Sequence, residues 1–222
     1  MSDSAGDPTL RPQPVRVRDD DVGHLDESQK ILITVHLWST WLEVAIEHAE
    51  EARRARDEMT RLRAEGKEFA LWLSSEFRAS VVAVAASAHA LDALYGSTVI
   101  PESARGHGEN RPARIREALK RVFHTGPANT PWVTQFDWLF DLRDAVVHAG
   151  ERPAPTVPHP AAGNTAAEHV RYSVESAEQA VDFALSVFRR CVDHPRPDAT
   201  SWAAIMRPLV DLMERRRSWS SP

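Results

Sequence analysis

Arg143, Asp144 and His148 form the one compact set of ionisable side chains in this sequence that suggests chemistry. They lie near the end of the stretch 132–150, WVTQFDWLFDLRDAVVHAG. An imidazole titrates near neutrality, which suits it to give or take a proton. A guanidinium is permanently charged and planar, and its fork matches phosphate oxygens. On a helix, positions four apart share a face, so Asp144 can accept a hydrogen bond from one nitrogen of His148 and leave the other free. Positions five apart point roughly 140° apart, so Arg143 and His148 do not share a face. Such a trio can cleave RNA without a metal. In such a reaction His148 would take the ribose 2′-hydroxyl proton or protonate the leaving oxygen, and Arg143 would stabilise charge on the phosphorane-like transition state.

Bare spacing carries little weight. The chain has 10 histidines, and only three of its 27 basic residues are lysine (Lys30, Lys67 and Lys120). Chance alone then gives roughly three Arg–His pairs with four to six intervening residues. Four occur: Arg18/His24, Arg143/His148, Arg152/His159 and Arg189/His194. The first lies in the N-terminal arm and the third in a proline-rich segment. The fourth ends a helix before Pro195 and is the internal rival. An ordinary reading also competes: the helix dipole favours a histidine in a last turn, and Asp144 to His148 is a stabilising pair.

The elements that must position these groups read as helices. Residues 1–26 contain Pro8, Pro12, Pro14 and the acidic run Asp19, Asp20, Asp21, and read as a loosely attached arm. A first helix starts near Asp26. Its later, highly charged half either projects into solvent or packs by a thin stripe of Ala52, Ala55, Met59 and Leu62 before stopping at Gly66. A second helix, about 68–95, repeats Leu73, Phe77, Val81, Val84, Ala88, Leu91 and Tyr95 at bundle spacing and should be the central one. Its His89 reads as a satisfied core or boundary residue. After a glycine-containing loop, RPARIREALKRVFH is a short helix with Ile115, Leu119 and Val122 inward. Arg111, Arg114, Arg116, Lys120 and Arg121 lie outward with only Glu117 opposing them. That is the best basic patch in the chain, or else a solvated face.

The organising helix begins with Thr130 and Pro131 as cap and first turn, and turns Trp132, Phe136, Leu139 or Phe140, and Val146 inward. Its aromatic cluster is wider than one core stripe, which leaves room for a dimer face or a base-stacking surface. Pro153, Pro155, Pro158 and Pro160 then predict a long surface loop. A helix over 173–192 and an amphipathic piece over 198–217, weakened or kinked at Pro208, complete the chain. The expected architecture is all-α: an up-and-down bundle of five to six helices with no convincing strand. It divides into an arm (1–26), a bundle (27–195) and a C-terminal amphipathic tail (196–222).

Composition sets outer bounds. The apolar share is 42% and the net charge −5, so there is a core but no global basic field to draw in nucleic acid. A single cysteine, Cys191, excludes an internal disulfide and a cysteine-rich zinc site, and reads as a core residue. No Glu-x-x-His pair and no phosphate-cradling glycine loop occur. No apolar run reads as a membrane span and no signal peptide is visible, so a soluble cytoplasmic protein is expected.

The motif helix and its neighbours bring a family into view. LRDAVVHAG resembles the signature of the HEPN superfamily, the higher-eukaryote and prokaryote nucleotide-binding domains. That signature is an arginine, a polar residue, a few mostly apolar residues and a histidine near a helix end. The order of elements is also similar: a long apolar helix (AVAASAHALDALYG), a loop, a short helix, the motif helix, a loop and a closing helix (SVESAEQAVDFALSVF), over about residues 70–192. The resemblance implies a HEPN-like bundle that commonly dimerises, two motif helices meeting so that paired arginines and histidines form one cleft. It implies a metal-independent endoribonuclease of the defence or toxin type. Arg143 would bind phosphate, His148 would act as acid and base, and Asp144 would be the polar second position. No cofactor and no metal are expected. RNA would be guided by Arg111, Arg114, Lys120 and Arg121. A homodimer through the motif helix and a cognate antitoxin or partner protein are the expected partners, with no membrane. The rival from the same superfamily is a non-catalytic helical module that binds a partner protein or nucleotide.

Overall fold

The computed structural model describes residues 36–125, 132–147 and 155–219. In chain order they form α1 (Leu37–Ala64), α2 (Ala70–Gly96), α3 (Arg111–Val122), α4 (Trp132–Val147), β1 (Thr156–His159), β2 (Gly163–Ala166), α5 (Ala167–Arg171), α6 (Val174–Asp193) and α7 (Thr200–Trp219). The fold is all-α, a helical bundle with one small two-stranded sheet. The arm, the start of the organising helix at Thr130 and Pro131, and its end at His148 and Gly150 lie outside the described residues.

α1 and α2 are long and pack along each other over their length. In α1 the buried stripe runs through Trp38, Leu42, Ala45, Ala49, Ala52, Ala55 and Met59. Of the two fates expected for its charged half, packing is the one observed. Small residues face small residues: Ala79, Ala83, Ala86 and Ala90 of α2 are buried as well. The turn between them follows from Gly66, whose φ of 67° is open to glycine at no steric cost. Lys67 N–H donates to Leu62 O at 2.9 Å and Gly66 N–H to Arg63 O at 3.1 Å, the paired bonds of a Schellman motif.

α2 also contacts α3, α4 and α6, which makes it the central helix expected from its sequence. By length and composition it is apolar enough to cross a membrane, contrary to the sequence reading, yet 56% of that window is buried against the other helices. Its long run of alanines with valine and leucine serves a crowded core. α4 docks through Phe136, Leu139, Phe140 and Leu142, all buried, and Phe136 meets Phe183 of α6 edge-on at 5.0 Å. Each such ring or leucine contributes roughly 1.5–3 kcal/mol by burial. α7 packs on α6 and α1, and Ala203, Met206, Val210 and Met213 join the same core. Pro208 sits inside α7, which runs on through it to Trp219.

One expectation is overturned. The proline-rich segment is not a surface loop throughout: Thr156–His159 and Gly163–Ala166 form an antiparallel hairpin, with His159 opposite Gly163. A two-stranded ribbon is all edge, so Pro158 can sit in it with no ladder bond lost from a central strand. A second short pairing joins Phe123 to Pro195, where the chain leaves α3 and α6.

Candidate functional site

Arg143 lies four residues before the end of α4. The aromatic packing of α4 fixes its position, and Tyr172 O–H donates to Leu142 O at 2.9 Å from the other side. The Arg143 side chain is only 17% exposed. Its guanidinium lies 4.8 Å from the Phe140 ring, within cation–π range. Nη2 pairs with Asp144 at 2.7 Å, and Nη1 with Asp92 of α2 at 3.2 Å. Among the described residues, Nε is buried with no hydrogen-bond partner.

Asp92 is shared. Its other oxygen accepts from Arg111 Nε of α3 at 2.6 Å. One turn further along α2, Tyr95 carries Arg111 over its ring at 4.4 Å and Arg105 at 5.9 Å. Tyr95 Oη accepts from Gly106 N–H, holding the loop in place. The end of α2 therefore gathers three guanidinium groups, Arg105, Arg111 and Arg143, around one aspartate and one tyrosine. Asp144 is the second carboxylate, and the balance is positive by one charge. Phosphate recognition needs such a surplus together with unspent donors.

The expected residues divide. Asp144 is paired with Arg143 and is 55% exposed. His148, and with it the Asp144–His148 pair, lies outside the described residues. Of the basic patch, Arg111 faces Arg143 across Asp92. Arg114 Nε donates to Gly108 O at 3.2 Å, Arg121 Nη1 to Ser103 O at 3.2 Å, and Lys120 pairs with Glu117 at 2.7 Å. Arg114 and Arg121 are exposed, but each fastens the loop between α2 and α3 to its helix. That loop is drawn tight at Gly108, where a Cβ would stand 2.8 Å from the Ala113 and Arg114 backbone at a φ of 123°. Arg116 is tied to Asp137 at 2.8 Å. The rival Arg189 is spent on Asp211 and Glu214 and fastens α7 to α6. Cys191 is fully buried and burial pushes its thiol up, away from the reactive thiolate.

Sequence reasoning missed Asp92 and Tyr95. Asp92 is the lone carboxylate in SVVAVAASAHALDAL, and an acid on an otherwise apolar stretch signals a facing cation. It also missed a buried polar cluster. Glu76 of α2 is 1% exposed. It accepts from Arg56 Nη2 at 2.6 Å and from Val174 N–H, at the start of α6, at 3.0 Å. Arg56 also pairs with Glu175 at 2.8 Å. His159 of the hairpin stands 3.6 Å from Glu76 and 3.4 Å from Arg56. Its Nδ1 accepts from the backbone N–H groups of Ala161 and Ala162, so Nε2 carries the proton.

The environment of the cluster sets its protonation. Burial holds His159 below its ordinary value, with Arg56 adding to that and Glu76 opposing it. Burial alone would raise Glu175, but hydrogen bonds from Arg56 and Ser173 outweigh it and bring it to about 2. The cluster binds α1, α2, α6 and the hairpin into one unit. With His159 and Glu76 shut from solvent, it is built to hold the fold and not to turn over a substrate. No group of histidine, cysteine and carboxylate side chains among the described residues could hold a metal ion.

Set against family models, curated proteins and solved structures, the chain matches none.

Proposed function

We propose that this chain is a HEPN-like, metal-independent endoribonuclease whose site is the end of α4, with Arg143 binding phosphate and His148 moving the proton. The observation that carries the reading is the state of Arg143. It sits where α2, α3 and α4 meet, beside Arg111, with a buried Nε that has no partner among the described residues. A buried donor left unpaired costs roughly 1–3 kcal/mol, and a phosphate oxygen would recover it. Asp92 and Asp144 hold the fork until an anion displaces them. Arg111 supplies a second guanidinium for the same phosphate. In this reading two copies meet through α4 and complete one cleft.

The test is cleavage of a single-stranded RNA by the purified full chain in excess EDTA. His148→Ala should abolish cleavage and leave the helical signal intact. Arg143→Lys should fail too, because a point charge does not replace the fork. Equal cleavage by wild type and either variant removes that residue from the mechanism.

A second reading has its own observation. Arg143 is held by two carboxylates and a ring, the pattern of a pin that fastens α4 to α2. Asp141 and Asp144 are exposed on α4, and two such helices brought together set like charges face to face. Both facts favour a non-catalytic module that binds a partner protein or nucleotide. Absence of RNA cleavage, with Arg143→Lys lowering only the melting temperature, is the outcome that belongs to this reading.

A further inference from the structure

We infer that the notch where α3 and α6 both end is a separate phosphate-binding pocket, built from Lys120, Arg190 and Arg196. It is a cavity of about 410 Å³ lined by Lys120, Phe123, His124, Thr125, Arg190 and Arg196. Three permanent positive charges line it and, among the described residues, no carboxylate does. Lys120 shares Glu117 at 2.7 Å, a pair in which both side chains are about two-fifths exposed and which contributes little. Arg190 and Arg196 have no carboxylate partner among the described residues. Arg190 Nε donates to His124 O at 3.2 Å and Arg196 Nη2 to Lys120 O at 3.1 Å. Each contact uses one of five N–H donors, so most of both forks stays free.

The pocket is held in shape by the backbone. His124 N–H donates to His194 O at 2.7 Å and Arg196 N–H to Val122 O at 3.1 Å, which clips the two exits together. Phe123 is fully buried between them and packs on Trp202 at 5.5 Å, giving a rigid apolar floor. Two helix C-termini meet here, and their dipoles account for some positive charge. They do not account for a cavity left open among three cations. The charge suits a phosphomonoester dianion better than the single charge of a diester, and the volume admits a phosphate with its sugar. Lys120 lies nine positions after Arg111 on α3, about 14 Å at the helical rise. The pocket is therefore distinct from the Arg143 cluster and stands or falls apart from the ribonuclease reading.

Isothermal titration of the full chain at low salt tests it, with inorganic phosphate, adenosine 5′-monophosphate and adenosine as probes. Phosphate and the monophosphate should bind saturably and adenosine should not. Arg190→Gln and Arg196→Gln should each weaken binding about tenfold or more. Arg61→Gln, an exposed arginine of α1, should leave it unchanged. If Arg196→Gln does not fold, because Arg196 also holds Lys120 O, Arg190→Gln and Lys120→Gln decide. Binding of phosphate with no gain for the monophosphate supports the pocket and narrows its ligand to the free ion. No saturable binding, or binding that Arg190→Gln and Lys120→Gln leave equal to wild type, overturns the inference.

Discussion

Asp92 holds Arg143: one oxygen of the α2 carboxylate lies 3.2 Å from the α4 guanidinium, and the other takes Arg111 at 2.6 Å. One acid thus keeps two phosphate-matching forks side by side and also competes with any phosphate for them. Asp92→Asn should weaken that competition and raise RNA affinity, while costing roughly 1–3 kcal/mol of stability through the lost charged hydrogen bonds. Filter binding at fixed salt and thermal melts read the two effects. Unchanged RNA affinity beside a lowered melting temperature would leave Asp92 and Arg143 a structural pair.

The Glu76–Arg56 pair predicts a large stability effect far from the motif. Glu76→Ala strands Arg56 beside Glu175 alone and removes the acceptor for Val174 N–H. Breaking a buried pair on one side costs about 3–5 kcal/mol. Denaturant melts should show that loss. A change under about 1 kcal/mol would mean that water reaches the cluster and compensates.

Acid should loosen the same cluster in two stages. The His159 imidazole is held below its ordinary 6.5, so its contribution is complete above that pH. As pH falls through 6.5 the unfolded chain takes a proton that the folded chain resists, and stability declines until the folded value is passed. Glu175, lowered from 4.5 to about 2, adds a second decline between those values. In His159→Asn, whose amide oxygen can still accept from Ala161 and Ala162, the first decline should vanish and the second remain. Melting temperature against pH checks this, and an unaltered first decline in the variant would assign it to another group.

The fold was legible because period and composition agree along most of the chain. The stripe Trp38, Leu42, Ala45 and the run through Val84, Ala88 and Leu91 each place a helix and its buried face. The hairpin was not legible: four prolines within eight residues suppress every strand signal, and only tertiary contact with Glu76 and Arg56 makes His159 an inward residue. Arg143 was legible as a candidate from the motif around it. Its partner Asp92 lies 51 positions away, and no local spacing reports a pair that two packed helices create. Arg114 and Arg121 look like a free basic face in sequence because backbone carbonyls, their actual partners, carry no letter.

The most direct measurement of the central claim is the chemistry of the cut ends. In EDTA, the wild-type chain should cut RNA to leave 2′,3′-cyclic phosphate termini, identified by mass spectrometry. A matched strand with 2′-deoxyribose throughout should stay intact, because no 2′-hydroxyl is present to attack the phosphorus. Cleavage of the deoxy strand, ends bearing 5′-phosphate and 3′-hydroxyl, or no cleavage of either strand would contradict a nuclease built on Arg143 and His148.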